Sequence, residues 1–237
     1  VVAALTGGAV TTAVNVPAIA AEDLEVLGPF VPLCRHLGRI AVALAEGSSV
    51  DKVEVELMGR IAERDTRPLA TATLLGVLSG HTEEEVNDVN APALAEERGL
   101  TISETSSAQA RDFTDMVRVT VRSGGRGTRV VGTTLGRLDR PHLLEAWGSR
   151  FNVQLEEHLA VFRYRDQPGM IGRVGTVLGE AGINIISAAV GRRPDEDAEP
   201  DGATATMLVT ADAPVPREVV ERLAADDGFE TGRAVSL

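Results

Sequence analysis

The chain has 237 residues and a net charge of −12 at neutral pH. That acidic excess excludes general binding to nucleic acid or to an anionic membrane, while a local basic site for a small anion remains compatible with it. Hydrophobic residues make up 43% but aromatic ones only 3%, so any core must be built from Val, Leu, Ile and Ala, and the length favours two domains.

In chain order, Val1 to Leu5 suits the last turn of a helix, and Ala9 to Val16 a short strand that ends at Asn15-Val16-Pro17. A helical stretch follows from Glu22-Asp23 to about Ala45, with an apolar side supplied by Leu24, Leu27, Cys34, Leu37, Ile40 and Leu44. Pro29 and Pro32 interrupt it, which predicts two pieces, the longer starting near Pro32. Val50 to Ile61 alternates as a strand does. Arg67-Pro68 starts a helix through Leu78, ended by Gly80-His81-Thr82. Asn90 is a suitable N-cap for a helix that Gly99 stops, and Thr101 to Thr105 is a short strand. Phe113 to Val121 and Thr128 to Thr134 alternate on either side of Ser123 to Gly127, the pattern of a hairpin. His142 to Trp147 suits a strand or a short helix, and Phe151 to Leu155 a strand. The domain boundary is expected near Glu156 to His158, giving domains 1–156 and 157–237.

The second domain opens on a strand, Leu159 to Arg165, that ends in the turn Asp166-Gln167-Pro168-Gly169. A helix is expected from Pro168, with Met170, Ile171, Val174, Val177 and Leu178 on its buried face. Gly172, Gly175 and Gly179 are poor helix formers, and predict close approach to another backbone. Gly182 stops the helix, and Ile183 to Val190 is a second strand. Pro194 to Gly202 reads as an acidic loop, Thr204 to Thr210 as a strand, Val215 to Ala224 as a helix and Gly228 to Val235 as the last strand.

The turn before that helix has ligand chemistry. First-turn N–H groups lack intrahelical partners and lie at the positive end of the helix dipole, and Gly169 leaves room for a carboxylate to reach them. Asp166 precedes the turn and Asn184 opens the next strand, so both are expected at one edge of the sheet. A small amino acid fits: its carboxylate on the N–H groups, its ammonium on Asp166 and the Asn184 oxygen. A plainer reading has Asp166 capping the helix and Asn184 only turning the chain.

The pattern D-x-P-G-x-x-G at Asp166 to Gly172, then a helix, then Gly182-Ile183-Asn184-Ile185, resembles the ACT domain, a βαββαβ module that binds amino acids in regulated metabolic enzymes. Ala13 to Pro17, the helix around Pro32 to Glu46, and Asn90 to Gly99 resemble the intervening, allosteric substrate-binding domain of long D-3-phosphoglycerate dehydrogenases. The resemblance spans nearly the whole chain. It implies an α+β fold, a mixed intervening domain followed by a ferredoxin-like ACT domain. It also implies a regulatory role: binding L-serine as feedback effector through Tyr164, Asp166, Gly169 and Asn184, at a place where two ACT domains meet, and forming a homo-oligomer whose sheets pair side by side. The parent enzyme would use NAD. Its catalytic and nucleotide-binding domains are not recognised here, so this chain is expected to hold no cofactor and not to catalyse hydride transfer alone. The first residue is not Met, and the numbering is expected to begin inside a longer protein.

A cationic cluster, Arg137, Arg140, His142 and Arg150, suits a phosphate or carboxylate if its members converge. In the resembling family the anion site uses lysine and arginine near the strand leading into the ACT domain. Those places are read here as His142 and Gln154, which weakens the site. Other chemistry finds little support. Gly125-Arg126-Gly127 begins like a dinucleotide fingerprint, but Val130 stands where its third glycine belongs and a strand follows. His36, His81, His142 and His158 have no metal-ligand spacing. Cys34, the single cysteine, precludes an internal disulfide and fits a reducing, cytoplasmic setting. It also cannot supply the cysteines of an iron–sulfur cluster, which counts against an ACT-containing L-serine dehydratase subunit. A pure oligomerisation module without ligand is the other alternative. No signal peptide and no span of about 20 apolar residues is found.

Overall fold

The computed structural model describes residues 23–47, 49–79, 86–110, 112–193 and 204–237. The expected helix end at Val1 to Leu5, the strand Ala9 to Val16, the stop at Gly80-His81-Thr82 and the loop Pro194 to Gly202 lie outside them. Contacts divide the chain into two compact units, Val1–Pro141 and His142–Leu237. Among the described residues no helix is long and apolar enough to cross a membrane.

The first unit contains α1 (Leu24–Leu27), α2 (Phe30–Ala43), β1 (Lys52–Gly59), α3 (Arg67–Leu78), α4 (Ala91–Glu97), β2 (Thr101–Ser107), β3 (Asp115–Ser123) and β4 (Arg126–Leu135). The predicted break between two helical pieces is there, but α2 begins at Phe30, with Pro29 as its N-cap. Pro32 falls in the first turn, where its missing N–H has no partner to lose. The helices α2 and α3 pack tightly because each has a glycine at the crossing. A Cβ on Gly38 would lie 2.2 Å from the Thr73 carbonyl oxygen, and one on Gly76 would lie 1.9 Å from that of Arg35. Strand β2 runs parallel to β1, β1 antiparallel to β3, and β3 antiparallel to β4. Val53, Val55 and Leu57 are buried on one side of β1. On the alternate positions, Glu54 pairs with Lys52 and Arg122, both at 2.9 Å, as the two-residue period of a strand requires. The expected loop from Ser123 to Gly127 is shorter. Gly124 and Gly125 both have positive φ, which lets a two-residue turn join Ser123 to Arg126.

The second unit holds β7 (His158–Arg165), α5 (Met170–Glu180), β8 (Ile185–Arg192), β9 (Thr204–Ala211), α6 (Arg217–Ala224) and β10 (Phe229–Ser236). Its sheet order is β10-β7-β9-β8, with every neighbouring pair antiparallel. This is the ferredoxin-like βαββαβ arrangement. Phe162, Met170, Val174, Leu178, Met207 and Leu223 belong to the core between the sheet and its helices. A hairpin of β5 (Arg140–Ala146) and β6 (Ser149–Gln154) comes first, pairing from His142↔Gln154 to Ala146↔Ser149. It lies on the other side of the sheet. The Ser149 and Thr206 hydroxyls are 2.9 Å apart, and the Arg163 guanidinium sits 5.4 Å from the centroid of the Trp147 ring. The division of contacts between Pro141 and His142 groups most of this hairpin with the second unit.

Two expectations for α5 are corrected. The helix starts at Met170, because Gly169 has φ +94° and cannot join it. Ile171 is 61% exposed, and Gly172, Gly175 and Gly179 would accept a Cβ with nothing within 4 Å. Among the described residues no backbone approaches them closely.

Candidate functional site

Strand β7 delivers the chain to the site, and its last residue is tied to the residue just before β10 by Arg165 N–H donating to the Gly228 carbonyl at 2.8 Å. The chain then turns through Asp166 to Gly169. The left-handed Gly169 closes the turn at almost no steric cost, and the Arg173 N–H reaches back to its carbonyl at 3.1 Å. The N–H groups of the first turn of α5 therefore open beside Asp166. At the far end of α5, the Ile183 N–H donates to Leu178 and the Gly182 N–H to Gly179, both at 3.0 Å. That bond pattern is the helix stop expected of a glycine after the last turn.

Tyr164, Asp166, Gln167, Gly169, Ile171 and Arg192 are among the residues lining a cavity of about 550 Å³. Three of the predicted ligand residues, Tyr164, Asp166 and Gly169, thus share one cavity. The Tyr164 ring is part of the core and lies 5.7 Å from that of Phe229, centroid to centroid. Burial, then the neighbouring Asp166 carboxylate, push its hydroxyl pKa up, so it stays a neutral hydrogen-bonding group. Asp166 makes no cap to α5. It instead accepts from Arg192, through Nε in a short contact and through Nη2 at 3.4 Å.

Asn184 is elsewhere. It precedes the first residue of β8, whereas Arg192 is the last, so about 3.3 Å per residue puts the two ends roughly 25 Å apart. The expectation that Asp166 and Asn184 share one sheet edge is not met within a single chain. A β–α–β crossover returns the chain to the end where the first strand began, a rule that would have separated them from sequence alone. Asn184 closes a clasp with Asp212: its backbone N–H donates to Oδ1 at 3.0 Å and its Nδ2 to Oδ2 at 2.8 Å. The Asp212 N–H returns a bond to the Asn184 carbonyl at 3.1 Å. The Asn184 side chain, then its backbone N–H, hold the Asp212 carboxyl below its ordinary pKa.

Arg192 and Asp212 are the residues that sequence reasoning missed. The signal for Arg192 was its place eight residues after Asn184, which a strand of that length carries back to the Asp166 end.

Of the cationic cluster, Arg140 and His142 are two residues apart on β5, Arg150 is on β6 and Arg137 precedes the hairpin. His142 faces Gln154 across the hairpin, while Arg150 faces Glu145 further along it. Gln154 spends its amide on Glu156 at 2.6 Å. Among the described residues no three His, Cys, Asp or Glu side chains form a metal-binding group. Burial pushes the Cys34 thiol up to about 12, which removes it as a nucleophile at neutral pH.

Residues 26–145 match the family model of the D-3-phosphoglycerate dehydrogenase intervening domain. The chain belongs to that family. Residues 158–228 match the ACT domain, the part that contains the Asp166 cavity. The chain is 33% identical over 228 residues to the D-3-phosphoglycerate dehydrogenase of Archaeoglobus fulgidus, covering 96% of this chain and 42% of that protein. It is 34% identical over 219 residues to that of Methanocaldococcus jannaschii, covering 92% of this chain and 40% of the other. With that of Bacillus subtilis the identity is 29% over 214 residues, 90% of this chain and 39% of the relative. The intervening and ACT domains together therefore span about two fifths of the curated relatives they match.

Proposed function

We infer that this chain is the regulatory portion of an NAD-dependent 3-phosphoglycerate dehydrogenase of serine biosynthesis. Its ACT domain binds a small amino acid, with L-serine as feedback effector, and joins copies of the chain into a homo-oligomer. The parent activity rests on the name the relatives carry. Oxidation of 3-phosphoglycerate with NAD belongs to the remaining length of such a protein, and this chain by itself transfers no hydride.

The observation that carries the reading is the cavity at the start of α5, where a carboxylate, a buried tyrosine and the first turn of a helix meet beside an exposed sheet edge. Strand β8 forms that edge. Ile186, at its bulge, is 55% exposed, and Ile185 and Val190 are 38% and 37% exposed. An uncovered strand of this kind invites pairing with another strand. A second copy of the chain, related by a twofold axis, pairs its own β8 antiparallel to the first. That brings the start of one β8 to the end of the other, so Asn184 of the second copy arrives beside Asp166 and Arg192 of the first. The separation of Asp166 from Asn184 within one chain then becomes a reason for the effector to sit between two.

Calorimetry with L-serine and with glycine tests the reading. A saturable heat for serine, weaker or absent for glycine, is the expected result. No heat for any small amino acid leaves an oligomerisation module and overturns the sensor.

A further inference from the structure

We propose that Arg192 is the carboxylate anchor of the effector cavity, and that its pairing with Asp166 makes the cavity selective for zwitterions. The proposal rests on the reading of the cavity as an amino-acid site, and it adds a residue that determines which ligands enter.

Among the described residues lining the cavity, only Asp166 and Arg192 carry formal charge. Their charges sum to zero, as do those of an α-amino acid. The two groups are already in contact, with Nε and Nη2 of Arg192 on the two carboxylate oxygens of Asp166. The Arg192 side chain is 68% exposed, while that of Asp166 is 22% exposed. The guanidinium is thus the movable partner at the mouth, and the carboxylate is the fixed one within. So exposed an ion pair is held weakly in water, and it opens when a ligand offers each group something better.

An α-amino acid does so for both. Its ammonium meets the Asp166 carboxylate, and its carboxylate meets the planar guanidinium fork, a geometry suited to two parallel hydrogen bonds. One ion pair becomes two, with charges alternating around the cavity. The first-turn N–H groups of α5 beside Gly169 are at hand for a second interaction with the carboxylate. An amine without a carboxylate must displace Arg192 and leave it without a partner. A carboxylate without an ammonium pulls Arg192 away and leaves Asp166 uncompensated. Neither fragment gains what the zwitterion gains.

Titration calorimetry on the chain with L-serine, ethanolamine and 3-hydroxypropionate tests this, the last two being serine without its carboxylate and without its ammonium. The unaltered chain is expected to bind serine at least about tenfold more tightly than either fragment. In Arg192→Gln the serine affinity should fall about ten- to hundredfold, the loss typical of a charge-assisted hydrogen bond, to the level of ethanolamine. Arg192→Lys, which restores the charge without the fork, should lie between. Serine binding that is unchanged or tighter in Arg192→Gln, while Asp166→Ala abolishes it, overturns the anchor alone and makes Arg192 a competitor for Asp166. A chain that binds no serine before any substitution overturns the amino-acid site, and the anchor with it.

Discussion

Asp166 and Asn184 stand at opposite ends of one exposed strand. Arg192, the last residue of β8, holds the Asp166 carboxylate, while Asn184 just precedes its first residue and is clasped by Asp212. A ligand that touches both residues must therefore lie between two chains.

Mixing variants tests this relationship. Asp166→Ala and Asn184→Ala should each weaken serine binding by about 1.5–3 kcal/mol, the worth of a hydrogen bond to a charged group. Asp166→Ala should cost more, because it removes the partner of the ammonium. Neither residue lies in the apolar core, so melting temperatures should be nearly unchanged. When the two variants are unfolded together and refolded as a mixture, hybrid pairs regain one intact site out of two. Calorimetry should then recover serine binding of full affinity at reduced stoichiometry. No recovery in the mixture counts against a site shared between chains.

The exposed edge of β8 makes a second expectation. Light scattering at micromolar concentration should give at least twice the 24.9 kDa of one chain. Ile186→Lys places a charge on the edge, a common device against strand pairing. It should reduce the particle to a monomer that melts as a folded domain and binds serine poorly. An unchanged particle size would move the interface to another surface.

The Asn184–Asp212 clasp should respond to acid. Its hydrogen bonds hold the Asp212 carboxyl below the ordinary value of 3.8. A carboxyl depressed in the folded state contributes stability that is present above the ordinary value and is lost as pH falls through the folded one. The Asn184 side-chain amide resonances should thus be constant at neutral pH and shift only below about pH 4. Asp212→Asn should abolish that titration. Resonances that ignore pH down to the unfolding transition would show that the clasp does not form in solution.

The α2–α3 crossing should not tolerate a single methyl group. A Cβ at Gly76 would fall 1.9 Å from a backbone oxygen, which cannot rotate aside as a side chain can. Gly76→Ala should cost at least the roughly 1–3 kcal/mol typical of overpacking, read as a lower denaturation midpoint with an unchanged slope. A variant as stable as the parent would mean that the two helices cross further apart.

The sequence by itself determined what is local. Alternation marked β1, β3 and β4, and the helical period marked Met170, Val174 and Leu178, because side chains repeat with the backbone period of their own element. Proline and glycine marked the turn at Asp166 to Gly169 and the stop at Gly182, because they restrict or permit particular backbone angles. The motif around that turn pointed to Tyr164, Asp166 and Gly169, which the fold gathers at one cavity. Tertiary structure alone decided what depends on strand order and direction. Twenty-six residues separate Asp166 from Arg192, and they meet because β8 runs parallel to β7 with β9 between them. The same geometry carries Asn184 away from Asp166 and delivers it to Asp212. The glycines show the limit most plainly. Gly38 and Gly76 face backbone at less than 2.5 Å, whereas Gly172, Gly175 and Gly179 face open space. A glycine within a helix states that a side chain is missing, and only the neighbouring element states whether anything occupies its place.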